Sequence, residues 1–332
     1  MVQYSSIRHL IAVTSCKGGV GKSTVSLEVA FRLARRGHRV GLFDADVHGP
    51  SLATQLPDAQ GGGGWSQLSH GGWAVKPREF DGVKLMSFGW FSRLWSSDGN
   101  EVRVSGPPGE TMTKLLHTTE WGELDYLIVD SPPGTGDVPR ALAKKVPLSG
   151  AIVVTTPSKL AVVDVVRGVR MLQRFRVPVL AVVENMSSFR CGCGEEHYPF
   201  GRGHLKEVLA SIGQPLSATT LSAGDSDSDG GGGTGSSSSS SCPTFRLPIV
   251  AGGDGVGGGF GATISESLGS LPDPLLAERL EALIGALEAH ELSNRAQTAA
   301  AAAPISLPHK LEYHELPHWP TELGAAEYVA SH

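Results

Sequence analysis

The sequence predicts an α/β fold, a doubly wound and mostly parallel sheet with helices on both faces. Two observations support this prediction. Short apolar, β-branched segments alternate along the chain with segments of helical periodicity. A glycine-rich loop separates the first of these strands from the first helix. Because parallel strands must be joined by a crossover, the alternation predicts a parallel sheet with right-handed connections.

The first βαβ unit lies near the amino end. His9–Thr14 (HLIAVT) is apolar and β-branched and is predicted to be a buried strand. Ser23–Arg36 has apolar residues at helical spacing, and Gly37 is suited to end that helix. Arg39–Phe43 (RVGLF) is the second predicted strand, and it leads directly into an Asp-Ala-Asp sequence.

The same criteria place the remaining elements. Further strands are predicted at Val83–Phe88, Tyr126–Val129, Ala151–Thr155, Val179–Val183 and Phe245–Val250. Further helices are predicted at Gly109–Thr118, Val138–Lys145, Ala161–Phe175, Gly203–Ile212 and Pro274–His290. The last helix is amphipathic, and five residues form its apolar face: Leu276, Leu280, Leu283, Ile284 and Leu287.

Two segments interrupt this pattern. Residues 58–72 contain a four-glycine run and are predicted to be a surface loop. Residues 223–241 are almost entirely Gly, Ser and Asp, cannot bury apolar area, and are predicted to be disordered. We therefore predict one P-loop domain over residues 1–295 that contains both insertions, followed by an Ala-rich linker and an unassigned tail at 296–332.

Composition narrows the classes of function. The 332 residues carry a net charge of −5, which gives no electrostatic reason to expect nucleic acid or a membrane surface as partner. No segment approaches a membrane span or a signal peptide, so the cytoplasm is the expected compartment. Two of the four cysteines lie two residues apart, which suits a metal or cluster site better than a disulfide framework.

The segment SCKGGVGKST, residues 15–24, predicts a phosphate-binding loop. Consecutive backbone N–H groups can converge on an anion there, and the helix N-terminus adds a favourable dipole. The residues predicted to bind the nucleotide are Gly18, Gly19, Val20, Gly21, Lys22, Ser23 and Thr24. Lys22 is expected to reach the β- and γ-phosphates, and the Ser23 hydroxyl to bind Mg²⁺. A glycine-rich turn without a ligand is the alternative, and Cys16 replaces the first glycine of the usual pattern.

Acidic residues end two of the predicted strands. Asp130 follows the apolar segment YLIV and is expected to hold Mg²⁺ through water, and Gly134 in the next loop is expected to sense the γ-phosphate through its N–H. Asp44 and Asp46 end the second strand at the same edge of the sheet. We predict that Asp44 is one of the residues that bind the nucleotide and that Asp46 orients the attacking water. Helix capping or turn chemistry is the alternative for these acids, and it suits Asp44 better than Asp130.

A second lysine stands at the start of the loop. The sequence from Lys17 to Thr24, KGGVGKST, resembles the deviant Walker A group of P-loop proteins. That resemblance implies that Lys17 reaches across a dimer to the nucleotide of the partner subunit. A solvated surface lysine is the alternative.

Five segments together resemble the Mrp/ApbC family of iron–sulfur cluster carrier ATPases. They are SCKGGVGKST (15–24), FDADVHGPSL (43–52), WGELDYLIVDSPPGTGD (121–137), TTPSKLAVVDVVRGV (155–169) and VPVLAVVENMSSF (177–189). The cysteine before the loop lysine, the TTEWGELDYL run and YPFG at 198–201 are most similar to the plant chloroplast branch, whose mutants show high chlorophyll fluorescence. That branch makes the chloroplast the alternative compartment.

The resemblance implies a homodimer with ATP at the subunit interface and a [4Fe–4S] cluster that is bridged between subunits and passed to apoproteins. It also implies that Asn185 contacts the adenine base, although Asn185 could instead cap the end of a strand.

The candidate cluster ligands are Cys191 and Cys193. Many relatives carry Cys-x-x-Cys near this position, and this chain has the shorter Cys-Gly-Cys. Two thiolates per chain would give the four per dimer that a [4Fe–4S] cluster needs. The alternatives are a redox-active thiol pair or a zinc half-site that His197 joins. We expect Cys242 to be an unpaired thiol and Cys16 to pack against the phosphate loop.

The sequence therefore predicts a slow, Mg²⁺-dependent ATP hydrolase that assembles and carries an iron–sulfur cluster. Slow turnover is expected because no arginine finger is evident. A positioning or partitioning ATPase is the second reading, but it would need a basic face, and the predicted helix Pro274–His290 is net acidic. A nucleotide-binding family member that has lost its cluster is the third reading.

Overall fold

The structure is a computed structural model. It describes residues 6–47, 49–50, 52, 74–90, 107–191, 193, 195–203, 242–248 and 274–300. Four of the predictions lie outside the described residues: the loop 58–72, the disordered segment 223–241, the tail from 304, and all but the first residue of the helix Gly203–Ile212.

The elements alternate along the described chain much as predicted. The strands are β1 Ile7–Ser15, β2 Val40–Asp44, β3 Arg78–Phe80, β4 Val83–Ser87, β5 Leu124–Asp130, β6 Gly150–Thr155, β7 Val179–Glu184, β8 Phe189–Arg190, β9 Glu196–His197 and β10 Thr244–Arg246. The helices are α1 Lys22–Arg35, α2 Pro108–Thr118, α3 Asp137–Lys145, α4 Lys159–Arg174 and α5 Pro274–Ala300.

Eight strands form one sheet in the order β10-β7-β6-β1-β5-β2-β4-β3. Every neighbouring pair is parallel except β3 and β4, so the predicted doubly wound, mostly parallel sheet is confirmed. The strand order reverses direction at β1, which lies between β5 and β6. The carboxyl ends of these three strands therefore meet at a topological switch point, where sheets of this kind bind their ligands.

Side chains on β1 alternate between the two faces of the sheet. Ile11 and Val13 join the core under α1 and α5. Leu10 packs on the opposite face with residues of α2 and α3, and Ala12 packs there with residues of α3 and α4. Because both faces are covered, the central strands are apolar throughout, as buried parallel strands usually are.

Helix α5 covers one face of the sheet beside α1. The apolar face predicted for this helix is buried in the core: Leu276, Leu280, Leu283, Ile284 and Leu287. Glu281 ties α5 to the carboxyl end of α1 through 2.6 Å ion pairs with Arg32 and Arg36. The helix extends to Ala300 and so takes in part of the segment predicted as a linker. The apolar face of α5 is therefore covered by other residues of the same chain.

The shortest strands were not predicted. β3 pairs antiparallel with β4 at one sheet edge, and β8 pairs with β9 in a separate hairpin. β3 has three residues, and β8 and β9 have two each, which is too few to show an alternation of period two. The strand predicted at Phe245–Val250 is observed over Thr244–Arg246, and 249–250 lie outside the described residues. Among the described helices, none combines the length and the apolar character that crossing a bilayer requires.

Candidate functional site

The predicted phosphate loop joins the carboxyl end of β1 to the start of α1. Gly19 and Gly21 adopt φ values of +74° and +80°, which glycine adopts without strain. A Cβ atom added to Gly18 or Gly19 would meet no atom within 4 Å. The loop backbone is therefore open on that side, and the N-terminus of α1 faces the switch point of the sheet.

Lys22 is buried at the base of this loop and contacts the acid at the end of β5. Its Nζ lies 2.5 Å from Asp130 Oδ1 and 3.2 Å from Ser23 Oγ. Ser26, one turn further along α1, donates a 2.9 Å hydrogen bond from Oγ to the same Asp130 oxygen. The structure thus brings together the predicted phosphate lysine, the predicted Mg²⁺ hydroxyl and the predicted Mg²⁺ carboxylate.

Asp44 is the second carboxylate of the site, and it is fully buried. It lies beside Asp130 because β2 and β5 pair with these two residues in register. The Asp44 carboxylate accepts hydrogen bonds from the N–H groups of Asp46 (3.1 Å) and Leu52 (3.2 Å) and from the Ser87 hydroxyl (3.0 Å). Burial, reinforced by the neighbouring Asp130 charge, raises the pKa of Asp44 to about 7.

Asp44 therefore has the turn-forming role that the sequence left open for it. Asp46, at the entrance to the same loop, is partly exposed, and its Oδ1 accepts a 3.1 Å hydrogen bond from the Gly49 N–H. Of the two acids, Asp46 is the one that can face solvent and a bound ligand, while Asp44 organises the loop that follows β2.

Gly134 has a partner within the protein. Its N–H donates a 2.7 Å hydrogen bond to the Ser15 carbonyl, and its φ is +90°. The loop after β5 is thereby attached to the first residue of the phosphate loop. A contact from this N–H to a phosphate would require its hydrogen bond to Ser15 to break. The sequence did not predict this hydrogen bond.

Lys17 belongs to the phosphate loop, and Asn185 contacts the loop from the end of β7. The Lys17 side chain is exposed. Asn185 is buried after β7, and its Nδ2 donates a 2.9 Å hydrogen bond to the Val20 carbonyl. A Cβ atom on Gly21 would collide with this amide, so the loop and Asn185 are in close contact.

Cys16 is part of the phosphate loop and packs against α4, whereas the sequence predicted only packing at the loop. Its Sγ lies against the backbone of Gly168, where any larger residue would crowd it. Burial raises the pKa of the Cys16 thiol to about 11. A thiol that stays protonated is a poor metal ligand, so the environment supports packing as the role of Cys16.

Cys191 and Cys193 lie at the tip of the β8–β9 hairpin. The two sulfurs are joined in a disulfide, with the Cα atoms 5.3 Å apart. Cys193 is exposed, and the Cys191 N–H donates to the Glu195 carbonyl across the hairpin. In this state neither sulfur is a thiolate, so binding iron would require prior reduction.

The described residues show no third ligand beside this pair. No group of three or more His, Cys, Asp or Glu side chains among them is arranged to hold a metal ion. His197 instead lies 3.9 Å from Glu195. Cys242 is buried far along the sheet beside Val179, and burial raises the pKa of its thiol to about 11.

Sequence reasoning missed two members of the phosphate site, Ser26 and Ser87. Ser26 lies four residues after Lys22, so helical periodicity would have placed both on the same face of α1. Ser87 ends β4, whose register with β2 places it beside Asp44. No local signal identifies it, because that register depends on the whole sheet.

The donor groups fit a nucleotide with Mg²⁺. The Ser23 hydroxyl and the Asp130 carboxylate offer the hard oxygen atoms that Mg²⁺ prefers. The open glycine backbone and the buried lysine suit the phosphate groups. The pair Cys191–Cys193 has the soft donors that iron–sulfur clusters use, once reduced.

Comparison with known proteins points the same way. A family model of the ParA type, described as NUBPL iron-transfer P-loop NTPase, matches residues 6–228. The chain is 45% identical over 229 residues to the chloroplastic Fe–S cluster assembly factor HCF101 of Arabidopsis thaliana, and the match covers 67% of this chain. It is 39% identical over 206 residues to the iron-sulfur cluster carrier protein of Escherichia coli, covering 61% of this chain and 54% of that protein. The match spans only 41% of the Arabidopsis protein's length.

Solved structures agree on the fold. A nucleotide-binding protein from Archaeoglobus fulgidus in complex with ADP has a TM-score of 0.56 and 29% identity, covering 75% of this chain and 84% of that one. The septum site-determining protein MinD of Pyrococcus horikoshii, complexed with Mg-ADP, has a TM-score of 0.50 and 17% identity over 86% of this chain and 97% of its own. The second likeness is evidence of a shared fold alone.

Proposed function

The chain belongs to the NUBPL iron-transfer family of P-loop NTPases, and from that premise we propose that it is an ATP-hydrolysing carrier of [4Fe–4S] clusters. In this proposal the chain acts as a homodimer, binds Mg²⁺ with ATP, and passes its cluster to apo iron–sulfur proteins. The sequence and the site favour neither nucleic acid nor a membrane as partner. The relatives' names, iron-sulfur cluster carrier protein and Fe–S cluster assembly factor, support the cargo.

One observation carries the proposal: Lys22, Ser23 and Asp130 converge at the phosphate loop. Lys22 exchanges its contact with Asp130 for phosphate oxygens, and the N–H groups of the loop hold the same oxygens. Ser23 and Asp130 are the Mg²⁺ ligands, with Asp44 supporting the loop behind them. When bound, Mg²⁺ neutralises charge on the transferred phosphoryl group.

Three further residues have proposed roles at this site. Asp46 orients the attacking water because it is the partly exposed acid that follows β2. Lys17 reaches the nucleotide of the partner subunit, and Asn185 contacts the adenine base. We expect slow turnover, because no arginine finger is evident from the sequence.

The cargo site of the proposal is the hairpin carrying Cys191 and Cys193. Each chain offers two sulfurs, so two chains supply the four thiolates of a [4Fe–4S] cluster. The disulfide must first be reduced, with two electrons from a dithiol reductant yielding two thiols, before the cluster can bind.

Anaerobic reconstitution tests this proposal. Reduced protein is incubated with iron and sulfide, desalted, and examined by absorption spectroscopy and iron analysis. We expect a brown protein with a broad band near ~400 nm, and no band in the double variant Cys191→Ala/Cys193→Ala. A matched control, Cys242→Ala, keeps the band because that thiol is buried away from the hairpin. A colourless wild-type protein that still binds ATP would contradict the cluster assignment.

The disulfide favours a second candidate function. If Cys191 and Cys193 cycle between dithiol and disulfide, the chain is a nucleotide-binding family member that has lost its cluster and retains a redox-active thiol pair. A defined midpoint potential in a glutathione redox series, together with no cluster uptake by the reduced protein, would establish this second reading.

The compartment is a proposal of the same kind. Identity is 45% and 43% with two plant relatives named chloroplastic and 39–41% with the bacterial carriers. The names of the plant relatives support the chloroplast as the alternative to the cytoplasm. Microscopy of the full-length gene product, tagged at its carboxyl end, distinguishes the two.

A further inference from the structure

Both ends of the β8–β9 hairpin are fastened at the carboxyl end of β7. On the entry side, Ser187 donates hydrogen bonds from both N–H and Oγ to the Leu247 carbonyl, each 2.9 Å long. On the exit side, the backbone of Gly203 lies against the Glu184 carboxylate so closely that a Cβ atom there would collide with it. The thiol hairpin is therefore attached to one point of the sheet.

Glu184 is the centre of this attachment. It is the last residue of β7 and only 2% exposed, and its Oε1 lies 3.2 Å from Arg246 Nε. The N–H of Arg246 does not point straight at that oxygen, so the contact is an ion pair without a well-aligned hydrogen bond. Arg246 also donates from Nη2 to the Arg202 carbonyl at 3.2 Å, which attaches the pair to the segment that leaves the hairpin.

Further contacts connect Glu184 and Arg246 to the hairpin itself. The Arg202 guanidinium stacks on the Tyr198 ring, 4.4 Å from its centroid. The Tyr198 hydroxyl in turn donates a 3.1 Å hydrogen bond to Glu196 on β9. From the other side, Arg279 of α5 donates a 2.6 Å hydrogen bond to the Arg246 carbonyl. A movement of Glu184 would therefore reach the hairpin through a chain of direct contacts.

The residue after Glu184 contacts the phosphate loop. Asn185 donates from Nδ2 to the Val20 carbonyl, and its own N–H is held by the Thr155 carbonyl at 2.8 Å. Two consecutive residues at the end of β7 thus contact two different sites. If phosphate binding rearranged Val20 and Gly21, the Val20 carbonyl that accepts the hydrogen bond from Asn185 would move. Asn185 follows Glu184 directly in the chain, so this movement would be passed to Glu184.

We propose that Glu184, paired with Arg246, is a positioning residue that couples the nucleotide state of the phosphate loop to the thiol hairpin. The inference rests on the proposed function for its two ligands, and it deepens that function by naming the connection between them. Because the carboxylate is buried against Gly203 and Arg246, it cannot move without one of these contacts changing.

The test measures how fast the two hairpin thiols react, with and without nucleotide. Reduced, iron-free protein is treated with N-ethylmaleimide, and labelling of each cysteine is followed by mass spectrometry. In wild-type protein, saturating Mg-ATP is expected to change the labelling rate of Cys191 and Cys193 by about fivefold, at the lower end of typical allosteric couplings. Glu184→Gln removes the charge at nearly constant volume and is expected to reduce that change below about twofold, with ATP affinity kept.

Three more variants separate positioning from general loss of structure. Arg246→Lys keeps the positive charge and is expected to retain part of the nucleotide effect. Gly203→Ala places a methyl group against the same carboxylate from the hairpin side. It replaces Glu184→Gln as the test variant if Glu184→Gln does not fold. Glu281→Gln makes the identical chemical change in an ion pair between α5 and α1, and it is expected to leave the wild-type response intact.

A folded Glu184→Gln variant with the wild-type response would overturn the proposal, and so would thiols in the wild-type protein that ignore the nucleotide. If Glu184→Gln does not fold, a wild-type response in Gly203→Ala would overturn it. The experiment uses no iron, so it is independent of cluster uptake. A colourless reconstituted protein whose thiols respond to Mg-ATP would contradict the carrier function and leave the coupling standing. A brown reconstituted protein whose thiols do not respond to Mg-ATP would support the carrier function and overturn the coupling.

Discussion

The phosphate loop and the thiol hairpin are held in place in different ways. The loop connects a central strand to a helix, and its lysine and carboxylate are buried and in direct contact. The hairpin has two strands of two residues each, and its tip carries an exposed cysteine. The loop takes its shape from the whole sheet, whereas the hairpin takes its shape from a few contacts at the end of β7. The chemistry of the loop is therefore preorganised, and that of the hairpin depends on redox state and on its anchors.

The largest effect is expected at the hairpin, where cluster binding should depend on the redox state of Cys191 and Cys193. Protein kept oxidised should take up no cluster, because both sulfurs are held in the disulfide. The same sample after treatment with a dithiol should take up the full amount. Iron and sulfide analysis measures cluster uptake in both samples, and calorimetry should show that both still bind ATP. Equal cluster uptake by oxidised protein would show that the two cysteines are not the ligands.

The phosphate loop should be most sensitive to loss of its buried lysine. Lys22→Ala is expected to lower the ATPase rate by about 100-fold or more, since one group that stabilises transition-state charge is worth that much. Cluster uptake should remain, because the hairpin does not depend on this lysine. Lys144→Ala, an exposed lysine on α3, is the control and should keep full activity. Unchanged hydrolysis in Lys22→Ala would remove the assignment of this loop.

The contrast between the two regions also explains what the sequence could predict. The loop was predicted in detail because its spacing, strand and helix are local, and so were Asp44 and Asp130 at the strand ends. The hairpin strands could not be predicted, because two residues show no periodicity. The attachment of Gly134 to Ser15 and the pairing of Glu184 with Arg246 could not be predicted either. They join segments distant in sequence, and their register is set by the sheet.

Buried charge at the loop should appear as a pH dependence of stability. The pKa of Asp44 is raised to about 7, so between about pH 4 and 7 the folded protein holds a proton that the unfolded chain releases. Stability of the nucleotide-free protein should therefore fall as pH rises through this window, by about 1.4 kcal/mol per pH unit at most for this group. Urea denaturation at several pH values measures the slope, and Asp44→Asn should flatten it.

Asp125→Asn is the control for that prediction. Its hydrogen bonds with Arg39 lower the pKa of Asp125 to about 2, so its contribution is lost only as pH falls below about 4. The slope between pH 4 and 7 should therefore match that of the wild-type protein. An Asp44→Asn variant with an unchanged slope would show that another group titrates in the window.

The smallest effect should come from the packing that supports the phosphate loop. Gly168→Ala places a methyl group against Cys16 Sγ and should destabilise the fold by about 1–2 kcal/mol, because the gain in helix propensity only partly offsets the crowding. In a Cys16→Ala background the sulfur is gone, and the same substitution should instead stabilise the fold by up to about 1 kcal/mol. Urea denaturation of the four proteins gives the coupling energy between the two sites. Additive effects would mean that the loop is not packed on α4 through this contact. A clear coupling would mean that the phosphate loop is held in place partly by its contact with one glycine on a neighbouring helix.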